Sequence, residues 1–268
     1  MDFEKLKNLP VKIYEDRVED VTDLKRPFVL TELFLHQVND NNKEMIFHIW
    51  PMTKCVILGK LDRQLPELDK ATDYLRSQGY EIVVRNQGGL AVVADEGVLN
   101  FSFVIPNTQD EKISMSDAYL MMVDFVREMF SDFYGRIDYF ELEDSYCPGT
   151  YDLSIAGKKF AGIAQRRMKD GIAVSIYLSV NGNQEKRSSL IKEFYRIGKN
   201  GQETNTKYPD IDPDCMESLD VLFDEELSME KAIDLIKDRL ELLGFRVGQM
   251  SLDGSMQEKY DILYKKYK

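Results

Sequence analysis

Histidine is nearly absent from these 268 residues: only His36 and His48 occur. Each lies in an apolar context, so a histidine-based triad or zinc site would have to recruit a residue that packing or surface exposure already explains. Cysteine is almost as sparse, and Cys55, Cys147 and Cys215 are far apart and odd in number. They resemble neither a disulfide framework nor a metal cluster and suit a reducing compartment. No stretch approaches the ~20 apolar residues of a membrane span. The first ten residues are charged throughout and carry no apolar run of the signal-peptide kind, so the expected location is the cytoplasm. Basic excess is missing too: 35 Lys and Arg stand against 47 Asp and Glu, a net charge of -12. That balance argues against nucleic acid or an anionic membrane as the main partner. Asp210, Asp212 and Asp214 have the spacing of a calcium loop, but Cys215 replaces the turn glycine and Val221 the bidentate acid, which leaves a solvated loop and no metal site. No internal repeat or low-complexity linker is present.

What remains is an alternation of strands and helices with a 43% hydrophobic content, enough for one large core. Residues 1 to 26 read as a charged arm with an extended stretch around Val11 to Tyr14. Pro27 opens a helix running through Val38. Met45 to Trp50 and Lys54 to Leu58 read as the two strands of a hairpin, with Trp50 in the core or a pocket wall. Pro66 suits the first turn of a helix that carries Leu68, Ala71 and Leu75 before Gly79 ends it. Tyr80 to Val84, Leu90 to Val93 and Val98 to Val104 read as strands. Ser114 and Asp117 resemble a capping box ahead of a stripe from Tyr119 to Phe130, whose methionines serve either as core or as flexible lining for an apolar ligand. Asn183 caps a helix to about Ile197, and Ser228 to Leu243 is amphipathic with Gly244 as its stop. A short charged tail follows.

The chain is organised around Ser145 to Arg167. Cys147 stands in a Pro148-Gly149 turn, an alternating strand follows, Ala156-Gly157 turns the chain back, and the next strand begins with Lys158 and Lys159. Such a hairpin brings a residue before its first strand and a lysine at the start of its second towards one pocket. A neighbouring cation favours the thiolate, the nucleophilic form of cysteine. Cys147 could then hold an acyl group as a thioester while Lys159 steadies the acyl carbonyl. Taken alone, a cysteine such as Cys147 is more often a small buried hydrophobe than a nucleophile. Arg85 with Gly88-Gly89, after a strand, reads either as a plain turn or as a place where backbone and guanidinium approach a ligand. Lys158, Lys159, Arg166, Arg167 and Lys169 form either a solvated strand edge or a docking surface for an acidic carrier protein.

Gly157-Lys158-Lys159-Phe160-Ala161-Gly162 resembles the Lys-x-x-Gly motif of the lipoate ligase and octanoyltransferase family. A second block, Arg85 to Val92 followed by Gly97 to Ser102, stands upstream in the right order. Ser145-Tyr146-Cys147-Pro148-Gly149 is similar to the cysteine context of that family's amidotransferase branch. The resemblance implies one α/β domain over residues 1–268: a mixed, largely antiparallel sheet flanked by helices, like the biotin/lipoate protein ligase catalytic domain, with a helical segment from about residue 215 packed on it. It implies octanoyl transfer from the octanoyl-lysine of glycine cleavage H protein to lipoyl domains of 2-oxoacid dehydrogenase subunits, with no cofactor. Cys147 would be the nucleophile and Lys159 the carbonyl-orienting group. Arg85, Gly88, Gly89 and Gly162 would shape the pocket, and Asp152 and Gln165 would orient Lys159 or the incoming amine. Asn86 and Leu90 replace the ligases' second arginine and third glycine, and Ala94 stands where many relatives carry a histidine, which disfavours an adenylate site. An octanoyl carrier-protein transferase, an ATP-dependent ligase and a non-catalytic lipoyl-domain binder remain as alternatives.

Overall fold

The computed structural model describes residues 6–16, 23–108 and 112–267. The ends of the expected N-terminal arm, residues 1–5 and 17–22, lie outside the described residues. Between them, β1 (Val11–Glu15) enters an eight-stranded sheet. Then come α1 (Arg26–Asp40), β2 (Met45–Ile49), β3 (Cys55–Leu58), α2 (Leu68–Ser77), β4 (Glu81–Val84), β5 (Val92–Ala94), β6 (Val98–Pro106) and α3 (Met115–Met129). The second half holds β7 (Ile137–Tyr139), β8 (Leu153–Ile155), β9 (Lys158–Met168), β10 (Gly171–Ser179), α4 (Gln184–Lys199), α5 (Leu219–Phe223), α6 (Met229–Leu242), β11 (Val247–Gln249) and α7 (Gly254–Lys266).

The large sheet runs β11-β1-β2-β6-β10-β9-β8-β7. Only β11, β1 and β2 are mutually parallel; every other neighbour pair is antiparallel. A smaller sheet, β4-β3-β5, lies apart from it. The strands at the middle of the large sheet are buried on both faces, and alternation splits them. Phe101, Phe103 and Ile105 of β6 join one core with α3 and α6, while Val104, Ala173 and Tyr177 join another with α1, α4 and the small sheet. Met121, Met122 and Met129 belong to the first core, so the methionine stripe is packing.

One expectation needs correction. Met45 to Trp50 and Lys54 to Leu58 do not form a hairpin: β2 lies between β1 and β6 in the large sheet, while β3 pairs with β4 and β5. Pro51-Met52-Thr53 is thus a crossing between sheets, and Lys54 takes φ +43 to make it. The charged tail joins the fold: β11 extends the sheet beside β1, and α7 packs Met256 and Tyr260 into the core shared with α1. The local signals elsewhere are plain. Ser114, Asn183 and Ser228 each accept the N–H three residues on, and Gly244 closes α6 at φ +85.

Candidate active site

Cys147 sits on the loop before β8 at φ +49, a left-handed conformation unusual for a side-chain-bearing residue. The loop is held locally: Ser145 Oγ donates to Leu142 O at 2.7 Å, and Gly149 N donates to Asp152 Oδ2 at 3.0 Å. It is also held from β9. Lys159 Nζ, on a residue 1% exposed, donates to Ser145 Oγ at 3.0 Å, Tyr146 O at 3.0 Å and Cys147 O at 2.9 Å, and pairs with Asp152 Oδ2 at 2.9 Å. Burial pushes the Asp152 carboxyl up, against the pull of the Lys159 ammonium.

The ammonium therefore grips the backbone of the cysteine, and the sulfur has other neighbours. Leu90 N donates to Cys147 Sγ at 3.2 Å and Arg85 Nη2 approaches it at 3.5 Å. Arg85 is fixed by Gly88 O and Leu90 O, at 3.2 and 2.7 Å. Gly89 permits this approach: at φ +101, a Cβ there would stand 2.9 Å from Sγ and 2.6 Å from Arg85 Nη2. The expectation of an ammonium against the thiol thus becomes a guanidinium and a backbone N–H against it, with the ammonium one atom group away. The other two cysteines differ in setting: burial pushes the Cys55 thiol up to about 12 and the Cys215 thiol up to about 11.

A β-bulge explains how Lys159 reaches this corner. Leu153 pairs with Ala161 but Ser154 with Lys159, so Phe160 is an extra residue and Lys159 turns to the face opposite Ala161. Gly162 shares that face; a Cβ there would lie 3.7 Å from Lys159 Nζ. Gln165 falls on the other side by the same alternation. Its amide donates to Met115 O at 2.9 Å and its oxygen accepts from Arg167, so it stands at the rim without touching Lys159. Nor do the hairpin cations form one basic patch: Lys159 is buried, Arg166 pairs with Glu32, Arg167 bonds Ile113 O and Ser114 O, and Lys158 and Lys169 are exposed.

Cys147, Lys159, Asp152, Arg85, Gly88, Gly89 and Gly162 all border one cavity of about 330 Å³ between the two sheets. Its floor is the large sheet, where Gly162, Tyr177 and Asn100 stand in one row and Ala164, Ser175 and Ser102 in the next. Ile57 and Val92 of the small sheet and Trp50 also line the cavity. Sequence reasoning missed Asn100, Ser175 and Gln87 as lining residues. The available signal was a pair of polar residues two apart in an otherwise apolar strand, Asn100 and Ser102 within Val98–Pro106. Beneath the site, Tyr146 OH, Tyr177 OH and Gln184 form a buried chain that fixes the residue preceding the cysteine.

The cavity suits a slender apolar group ending at a nucleophile. Residues 23–241 match the model of the lipoyl protein ligase A/B catalytic domain. The chain belongs to the lipoyl protein ligase A/B family. Within that family it is 39% identical over 239 residues to the octanoyl-[GcvH]:protein N-octanoyltransferase of Geobacillus kaustophilus, covering 89% of this chain and 84% of that protein. It is 40% identical over 251 residues to the same-named protein of Macrococcus caseolyticus, covering 93% and 90%. The lipoyl-[GcvH]:protein N-lipoyltransferase of Listeria monocytogenes is 48% identical over 180 residues, covering 67% of this chain and 64% of that protein. The fold is that of a solved lipoate-protein ligase A bound with ATP, with TM-score 0.73 at 16% identity over 97% of this chain and 95% of that one. The protein Ta0514 of T. acidophilum, solved with bound lipoic acid, gives TM-score 0.72 at 15% identity, with the same coverage. No helix among the described residues is long and apolar enough to cross a membrane.

Proposed function

We propose that this protein is an acyltransferase of protein lipoylation that moves an octanoyl group from the octanoyl-lysine of glycine cleavage H protein to lysines on lipoyl domains of 2-oxoacid dehydrogenase subunits. One observation carries the reading: Cys147 Sγ opens onto an apolar cavity, held by Leu90 N–H and beside the Arg85 guanidinium. Relatives named for octanoyl transfer, at about 40% identity over most of the chain, support the cargo.

Cys147 attacks the acyl carbonyl, the C–N bond to the donor lysine breaks, and the thiol proton ends on the departing amine. The acceptor lysine then attacks the thioester, the C–S bond breaks, and the thiol is restored. One amide is exchanged for another, so the exchange is close to thermoneutral and needs no ATP. Lys159 holds the left-handed Cys147 peptide and presents its positive charge to the developing oxyanion, with Asp152 fixing its direction. Leu90, where ligases carry a glycine, supplies both the N–H on the sulfur and the carbonyl that fixes Arg85. No cofactor, nucleic acid or membrane has a part in this chemistry, and the proposed setting is the cytoplasm.

The test is transfer without ATP. With octanoylated H protein as donor and a lipoyl domain as acceptor, the wild type produces octanoylated lipoyl domain and Cys147→Ser does not. Transfer only from octanoyl carrier protein moves the assignment to a thioester-donor enzyme, and transfer only with ATP and free acid makes it a ligase. A second reading, a lipoyl cargo, is favoured by the similarity to the Listeria protein.

A further inference from the structure

The backbone that faces the Cys147 sulfur is itself held from behind. Leu90 and Ala91 have three of their polar groups fixed: Leu90 N donates to Cys147 Sγ at 3.2 Å, Leu90 O accepts from Arg85 Nη2 at 2.7 Å, and Ala91 N donates to Tyr195 OH at 3.1 Å. The first two bonds stay within the site. The third leads away from it, because the Tyr195 hydroxyl directs its own proton at Asp62 Oδ1, 2.8 Å distant. Tyr195, on α4, is 1% exposed and Asp62 is 0% exposed, and neither borders the cavity.

The second oxygen of Asp62 braces the same segment two residues earlier. Gly59 N donates to Asp62 Oδ2 at 2.7 Å, and Gly59 stands so close to Gly89 that a Cβ on it would lie 1.8 Å from Gly89 O. One carboxylate thus sets Gly89 through Gly59 and Ala91 through Tyr195, with the Leu90 N–H between them. An ionised carboxylate is the side chain that offers acceptors alone on both oxygens; an asparagine would turn its NH2 towards one of the two donors. Burial pushes the Asp62 carboxyl up to about 6, which leaves it ionised at neutral pH. Burying that charge among neutral donors costs stability. What it supplies is direction. A hydrogen bond weakens steeply as it bends, and one to a charged acceptor is about twice as strong as one to a neutral acceptor. Turning the Leu90 peptide away from the sulfur therefore costs a thiolate more than a thiol.

We propose that Asp62 and Tyr195 are positioning residues for Cys147: together they aim the Leu90 N–H at its sulfur and so raise its reactivity without touching the substrate. Their part in turnover rests on the acyl-transfer reading above, which this deepens by naming what holds the nucleophile's donor in line.

The test reads the thiol directly. Alkylation of Cys147 by iodoacetamide, followed by peptide mass analysis on the native wild type, Tyr195→Phe and Asp62→Asn, slows about three- to tenfold in both variants, since a displaced donor lowers the thiolate population and only partly offsets this through greater nucleophilicity. Tyr80→Phe is the control. It removes a buried tyrosine bond of the same kind, Tyr80 OH to Asp95 Oδ2 at 2.9 Å, at the opposite end of the small sheet, and leaves the rate unchanged. In single-turnover thioester formation from octanoylated H protein the maximal rate falls about tenfold in Tyr195→Phe and Asp62→Asn, while the donor concentration for half the maximal rate stays within about twofold, because neither residue meets the donor. Unchanged alkylation of Cys147 overturns the inference. So does faster alkylation that spreads to the buried Cys55, the mark of a loosened wall. Should one variant not fold, the other decides alone. A wild type that forms no thioester with the donor overturns the acyl-transfer reading instead, and the alkylation rates still decide this inference.

Discussion

Lys159 and Arg187 are both buried cations beside a carboxylate: Lys159 pairs with Asp152 at 2.9 Å, Arg187 with Asp95 at 2.6 Å. What separates them is where their other hydrogen bonds go. Arg187 ties Glu96 O, Asn181 O and Ser179 Oγ together, joining the turn before β6 to the end of β10 and the start of α4. Lys159 directs three bonds into residues 145–147, and those residues border the cavity. The same ion-pair chemistry thus serves a scaffold in one place and the posture of a proposed nucleophile in the other. The two are linked, because Gln184, which accepts from Arg187, also donates to Tyr146 OH.

Removing each cation tests the contrast. Arg187→Leu leaves Asp95 without its cation, with only the Tyr80 hydroxyl still donating to it, and costs about 3–5 kcal/mol of stability in urea denaturation, while the folded fraction keeps its acyl-transfer rate within about threefold. Lys159→Met slows transfer by about 10²–10³-fold in single-turnover assays, because the Cys147 peptide and the carbonyl lose their cation. Equal rate losses per folded molecule in the two variants would erase the distinction.

A smaller effect comes from Asp62, which supports the cavity wall from outside. It accepts from Gly59 N and Tyr195 OH, and Tyr195 OH accepts from Ala91 N. Burial raises its carboxyl from 3.8 to about 6. The folded protein therefore holds this proton more tightly than the unfolded chain, so its stabilising contribution is complete below pH 3.8 and is lost as pH rises through about 6. Between those limits wild-type stability declines by about 2–3 kcal/mol relative to Asp62→Asn, measured by denaturation at stepped pH. A parallel pH dependence in both proteins contradicts the assignment. The smallest effect is expected at Gly89→Ala, where φ +101 and the closeness of Cys147 Sγ impose about 1–3 kcal/mol of strain, together with slower alkylation of Cys147 by iodoacetamide.

The hairpin from β8 to β9 was legible because turn chemistry and alternation are local: Ala156 and Gly157 both take positive φ where the chain reverses. Strand pairing was not. β2 and β3 are adjacent in sequence and apolar, which suits a hairpin, but nothing local states that one joins the large sheet and the other the small one. The same limit hid β11, a three-residue strand whose place depends on the exposed edge of β1. At the site, the two blocks and the Ser145–Gly149 context named Cys147, Lys159, Arg85 and the glycines. The bulge at Phe160, which decides what Lys159 faces, has no sequence mark. Asn100 did have one, as a polar residue in a strand buried along its whole length.

The most direct test of the account is the intact mass of the protein after brief mixing with octanoylated H protein in the absence of ATP and acceptor. The account predicts one octanoyl adduct, labile to hydroxylamine, mapped by peptide analysis to Cys147, absent from Cys147→Ser, and discharged when a lipoyl domain is added. An adduct on Cys55, on Cys215 or on a lysine, or transfer that proceeds undiminished in Cys147→Ser, would contradict it.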